Sequence, residues 1–143
     1  MKILFKYAND NCTTDDEYGE TPLKKAGAYG HVEVLRVLLE GGANVESIDV
    51  KRNTALHNAA YNGMLDACRL LLDWGAKVDS LDVGNTTPLY FAAKKGHLSV
   101  VKLLVERGAD VSIKCKSGKT ARDLAGINGK KDVAEWLEPI SHW

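Results

Sequence analysis

Thr87-Pro88-Leu89-Tyr90-Phe91-Ala92-Ala93-Lys94-Lys95-Gly96-His97-Leu98-Ser99-Val100-Val101-Lys102-Leu103-Leu104-Val105-Glu106-Arg107-Gly108-Ala109 is the stretch that decides the architecture, because the chain repeats its plan. Moved back by 33 residues it overlies Thr54 to Ala76, and moved back again it overlies Thr21 to Ala43. Moved forward, it meets an edited copy that starts at Thr120. Gly30, Gly63, Gly96 and Gly129 keep the same period, and Gly42, Gly75 and Gly108 keep it too, each followed by alanine. A fixed period of this length means stacked supersecondary units, none of which can bury its apolar face alone.

One unit can be built from its residues. Threonine at position 21, 54, 87 or 120 is a natural N-cap, and Pro22 and Pro88 fit the first helical position. The short helix that follows carries small residues (Ala26, Ala59-Ala60, Ala92-Ala93) that let neighbouring units approach closely. Gly30, Gly63 or Gly96 then ends it, where the chain leaves through a left-handed residue. A second helix begins near His31, Met64 or His97 with apolar residues at helical spacing, as in Val34, Val37, Leu38 and Leu39. It ends at Gly42, Gly75 or Gly108, and an extended stretch such as Val45 to Lys51 leads to the next threonine. The plan is helix, turn, helix, projecting loop.

Three segments now carry a resemblance: Thr21-Pro22-Leu23-Lys24-Lys25-Ala26, Thr54-Ala55-Leu56-His57-Asn58-Ala59 and Thr87-Pro88-Leu89-Tyr90-Phe91-Ala92. With the glycine-to-glycine half from Gly96-His97 through Gly108-Ala109, they resemble the signature of the ankyrin-repeat family over about Asp16 to Glu138. The resemblance implies an all-α ankyrin-repeat solenoid of stacked helix-turn-helix units with projecting loops. It divides the single domain into an N-terminal half-repeat cap (1–15), full repeats at 16–48, 49–81 and 82–114, and a capping repeat with tail at 115–143. Two departures stand out. The family histidine is kept only as His57, with Lys24 and Tyr90 elsewhere, so its usual side-chain to backbone hydrogen bond is not expected at those units. The loop glycine is Gly19 and Gly118, but Arg52 and Asn85 in the middle units.

Both ends of the stack are edited. Arg122 is in phase with Leu23, Leu56 and Leu89, and Glu138 with Leu39, Leu72 and Val105, so the last unit is expected to turn a polar face to water. Trp136, in phase with Val37, Leu70 and Leu103, is expected in the core. At the front, Asn9 to Cys12 overlies Gly42 to Val45, which makes residues 1–15 either a half-repeat cap or the trace of a longer array. A half-repeat leaves part of the first unit's apolar face uncovered, and weak self-association through that N-terminal edge is expected.

The remaining chemistry is sparse. Nineteen basic and nineteen acidic residues balance, so no general case exists for nucleic-acid binding. The longest apolar runs, such as Leu89 to Ala93, are far from bilayer length and predict no membrane insertion. Cys12, Cys68 and Cys115 are odd in number and lie at different phases, which suits reduced thiols and no metal site. His31, His57 and His97 recur at structural phases. No phosphate-loop motif is present around Gly41-Gly42-Ala43. The reading is a non-enzyme without cofactor, cytoplasmic with the nucleus as alternative.

For function the family resemblance implies a concave surface of loop tips and first-helix ends that holds another protein or peptide. Carried over by phase, that surface comprises Glu17, Tyr18, Glu20 and Tyr29 in the first unit. It continues with Lys51, Asn53, Tyr61 and Asn62 in the second, and Thr86, Lys94 and Lys95 in the third. The expected role is an adaptor, scaffold or inhibitor, the alternative a targeting domain of a larger enzyme or channel. Charge runs along the stack: six acids face three bases from Asp16 to Ile48, whereas three acids face five bases from Asp82 to Lys114. A partner with basic residues at the first unit and acidic ones at the third is expected.

Overall fold

The computed structural model describes residues 21–141, and all regular structure in them is helical. Eight helices follow in pairs: α1 (Pro22–Tyr29) with α2 (Val32–Glu40), α3 (Ala55–Tyr61) with α4 (Leu65–Asp73), α5 (Pro88–Lys95) with α6 (Leu98–Glu106), and α7 (Ala121–Ile127) with α8 (Lys131–Ser141). The expected half-repeat at 1–15 lies outside the described residues.

Each first helix starts as its sequence dictates. Thr21, Thr54, Thr87 and Thr120 sit in extended backbone, and each hydroxyl accepts the N–H three residues on. In α3 and α7 the bond is returned, by His57 to Thr54 and by Asp123 to Thr120, which closes a capping box. The turn between paired helices is made by a glycine at φ of 72° (Gly30), 71° (Gly63), 78° (Gly96) and 73° (Gly129), a region that other residues enter only at a cost.

The first helices α1, α3, α5 and α7 form one row and the second helices another. The first row packs through small residues: Ala55, Ala59, Ala60, Ala92, Ala93 and Ala125 are all fully buried. A Cβ on Gly27 would sit 3.6 Å from that of Ala55. The second row meets through leucine and valine and stands further apart, so the stack bends with the first helices inside. Leu23, Leu35, Leu38, Leu56, Leu71, Leu89, Leu104 and Leu137 form the continuous core between the rows, joined by Cys68, which is buried as expected. Trp136 packs partly buried against it, with the Lys102 ammonium 5.9 Å from its ring. Arg122 and Glu138, the two polar residues at core phases, meet each other at 3.2 Å on the outer side of α7 and α8.

Between units the chain makes a tight hairpin at 49–53, 82–86 and 115–119, each closed by paired backbone hydrogen bonds. The hairpins hold one another: Val83 N donates to Lys51 O and Lys116 N to Gly84 O, both at 3.0 Å. Arg52 and Asn85 occupy the place of Gly118 and adopt its left-handed backbone, at φ of 68° and 58° against 81°.

The inner face and its joints

The position that holds His57 in the second unit reaches the next hairpin in each of the first three units, by different chemistry each time. His57 is fully buried; its Nδ1 accepts from Thr54 N, which leaves Nε2 to donate to Thr86 O at 2.9 Å. Burial holds the imidazole below its usual pKa, against the opposing pull of Thr86 O and Asp82, so it stays neutral. In the first unit Lys24, equally buried, forms an ion pair with Asp49. Asp49 also accepts from Lys51 N and Asn53 N at 2.8 and 2.9 Å. Burial alone would raise its carboxyl, but the Lys24 ammonium and these N–H groups carry it below the ordinary value. In the third unit Tyr90 places its hydroxyl 3.2 Å from Cys115 Sγ, which also lies 3.0 Å from Ser117 Oγ. Burial opposes ionisation of that thiol, yet the Ser117 and Tyr90 hydroxyls and the Lys119 and Ser117 N–H groups bring it down to about 7. Asp49, Asp82 and Cys115 share one phase, so the thiol stands where the other hairpins have a carboxylate. At Lys24 and Tyr90 the histidine's bond is replaced by a side-chain contact to the next hairpin.

These joints fix the inner face, where first-helix ends and hairpin tips meet solvent. Glu17, Tyr18 and Glu20 lie outside the described residues. Tyr29 ends α1 and is 68% exposed, its ring 6.1 Å from that of His31. Tyr61 ends α3, is 41% exposed, and stacks edge-on to Phe91 at 5.7 Å with the Lys95 ammonium 5.0 Å above it. Asn62 Nδ2 donates to Ala28 O at 2.9 Å, and His97 Nε2 to Tyr61 O at 3.0 Å, so the ends of successive first helices are tied. Lys94 and Lys95 are exposed at the end of α5, and Lys51 at a hairpin tip. Asn53 and Thr86 are half-buried, with Asn53 Oδ1 and Thr86 Oγ1 enclosed and without a hydrogen-bond partner. Tyr61, Lys94 and Lys95 therefore come together, Tyr29 stands one unit away in the same row, and Asn53 and Thr86 turn inward.

Sequence reasoning passed over two residues of this face. Ile127, 63% exposed, follows Tyr61 and Lys94 on the period, so its phase was a usable signal. Lys130 continues the His31, Met64 and His97 phase, and that structural phase hid its ammonium. Among the described residues no group of histidine, cysteine and carboxylate side chains is arranged to hold a metal ion. No helix among them is long and apolar enough to cross a membrane.

Comparison with known proteins agrees with the architecture. A family model described as ankyrin repeats (3 copies) matches residues 1–82, and a second, ankyrin repeats (many copies), matches residues 76–125. Mouse ankyrin repeat and SOCS box protein 12 is 40% identical to the chain over a match covering 34% of the chain and 21% of that protein. The human protein of that name is 56% identical over 24% of the chain and 11% of its own length. The chain thus spans about a fifth or less of these relatives.

Proposed function

Since the chain belongs to the ankyrin-repeat family, whose members are in general protein-interaction modules, we propose that it acts as an adaptor, scaffold or inhibitor that holds a partner protein on its inner face. The observation that carries this reading is where the exposed apolar side chains lie. Of the nine large apolar side chains exposed among the described residues, Tyr29, Tyr61 and Ile127 end first helices and Val50 and Val83 lie at hairpin tips, while Val34, Ile48, Trp74 and Leu81 lie outside both places. Uncovered apolar side chains gathered on one face mark an interaction surface, and tyrosine suits one by offering a broad ring with a polar tip. The joints support it further. Lys24, His57 and Tyr90 lock each hairpin to the unit before it, so the face is presented pre-formed and little ordering entropy is lost on binding.

The test is affinity capture from cell lysate with the intact chain and with Tyr29→Ala/Tyr61→Ala, followed by mass spectrometry. A specific partner retained by the first and lost from the second supports the inner face as the site. Equal capture by both, with the variant folded by circular dichroism, rejects it.

A further inference from the structure

The inner face of the last two units gathers three lysines in one place. Lys94, Lys95 and Lys130, with Asn128, line a cleft of about 160 Å³. Among the described residues none of the three lysines forms an ion pair. The fold accounts for two of them, because Lys94 and Lys95 lie in the last turn of α5, where a helix dipole favours cations.

Lys130 is different. It immediately precedes α8, where the dipole opposes positive charge, although Asp132 in the first turn offsets part of the charge of Lys130 and Lys131. Earlier units have His31-Val32, Met64-Leu65 and His97-Leu98 at these places. Packing explains only the stem of Lys130. A Cβ on Gly96 would lie 2.8 Å from Lys130 Cδ, just as one on Gly30 would meet Met64 Sδ at 2.7 Å. Met64 covers its glycine without a charge. The charge of Lys130 is therefore not needed to cover Gly96, and its side chain lines a cleft with two more cations.

We propose, building on the inner-face reading, that this cleft seats the carboxylates of a short acidic stretch in a protein partner, with an adjoining aliphatic residue of that stretch resting on Ile127. Three ammoniums around one cleft attract anions and fix where along the groove an acidic stretch settles. Exposed apolar side chains adjoin its lining residues, Tyr61 beneath the Lys95 ammonium and Ile127 next to Asn128 in the chain, and favour a peptide over a bare anion. A uniform polyanion such as nucleic acid is disfavoured by the charge along the sequence, since residues 16–48 hold six acids against three bases.

The experiment follows amide signals of the full chain by NMR during titration with a synthetic peptide that alternates glutamate with leucine. A peptide with glutamine for glutamate and an oligothymidylate of equal charge serve as controls. The glutamate peptide should shift the signals of Lys94, Lys95, Ile127, Asn128 and Lys130 and be weakened by salt, with little response to either control. Lys94→Gln/Lys130→Met, which keeps Gly96 covered as Met64 covers Gly30, should bind about tenfold more weakly at low salt with an unchanged melting curve. No shift at these residues, equal binding of either control, or unchanged affinity of the variant overturns the proposal. A captured partner that needs Tyr29 and Tyr61 but binds the lysine variant normally leaves the inner-face reading intact and removes this one alone.

Discussion

Lys24 shows how one substitution reorganises a joint. A buried ammonium is tolerable only while its carboxylate is present, whereas Asp49 keeps two backbone donors and some solvent contact without the lysine. Asp49→Ala should therefore cost about 3–5 kcal/mol by chemical denaturation. Lys24→Met should be near neutral, and equal losses for the two variants would contradict the asymmetry. Cys115 provides a test by pH. Its thiol is brought to about 7 in the folded chain from an ordinary 9.0, so the folded form binds the proton less tightly than the unfolded one. The stability this contributes is full above pH 9 and is lost as the pH falls towards 7. Melting curves of the native chain and Cys115→Ser should diverge between pH 7 and 9, with the native chain gaining at the alkaline end. A constant difference would mean that the thiol is not ionised in the fold. Neither joint was legible in the sequence, because a phase says which residues recur and not what a substituted side chain reaches.

At the level of helices, the sequence was far more informative. Threonine caps, proline at the first position and glycine at the turn are local rules with local causes, and every one of them appears where the period put it. Even the departures at Arg52 and Asn85 kept the glycine's backbone, because the hairpin's paired hydrogen bonds leave no other path. The turn glycines differ in what surrounds them, and two variants separate the causes. Gly63 and Gly129 have φ of 71° and 73°, yet a Cβ on Gly63 would meet the His97 ring at 2.6 Å, while nothing lies within 4 Å on Gly129. Gly129→Ala should cost about 1–2 kcal/mol, the backbone penalty alone. Gly63→Ala should cost clearly more, since it also displaces His97 from Tyr61 O. Equal thermal shifts would show that the ring yields freely.

Across the whole molecule, stability passes from unit to unit, and an uncovered end is its weakest place. The half-repeat expected at residues 1–15 bears on this directly. Deleting residues 1–9 should lower the unfolding midpoint and produce dimers by light scattering; an unchanged midpoint with a clean monomer would remove that segment from the stack. The order of units was readable from the period, and so was the row in which the inner-face residues lie. Their grouping was not. Tyr61 meets Lys95 only because adjacent first helices pack on alanine, a distance that no periodic pattern specifies. The three unlike joints also bear on how such an array can be rearranged by recombination. Excising 49–81 sets Lys24 opposite Asp82 in place of Asp49, and excising 82–114 leaves the Lys24–Asp49 pair as it is, so the buried cation keeps a carboxylate either way. Excising both sets it opposite Cys115, and the ammonium is left facing a thiol. Loss of one internal repeat therefore keeps the buried ion pair, whereas loss of both leaves Lys24 dependent on ionisation of the thiol.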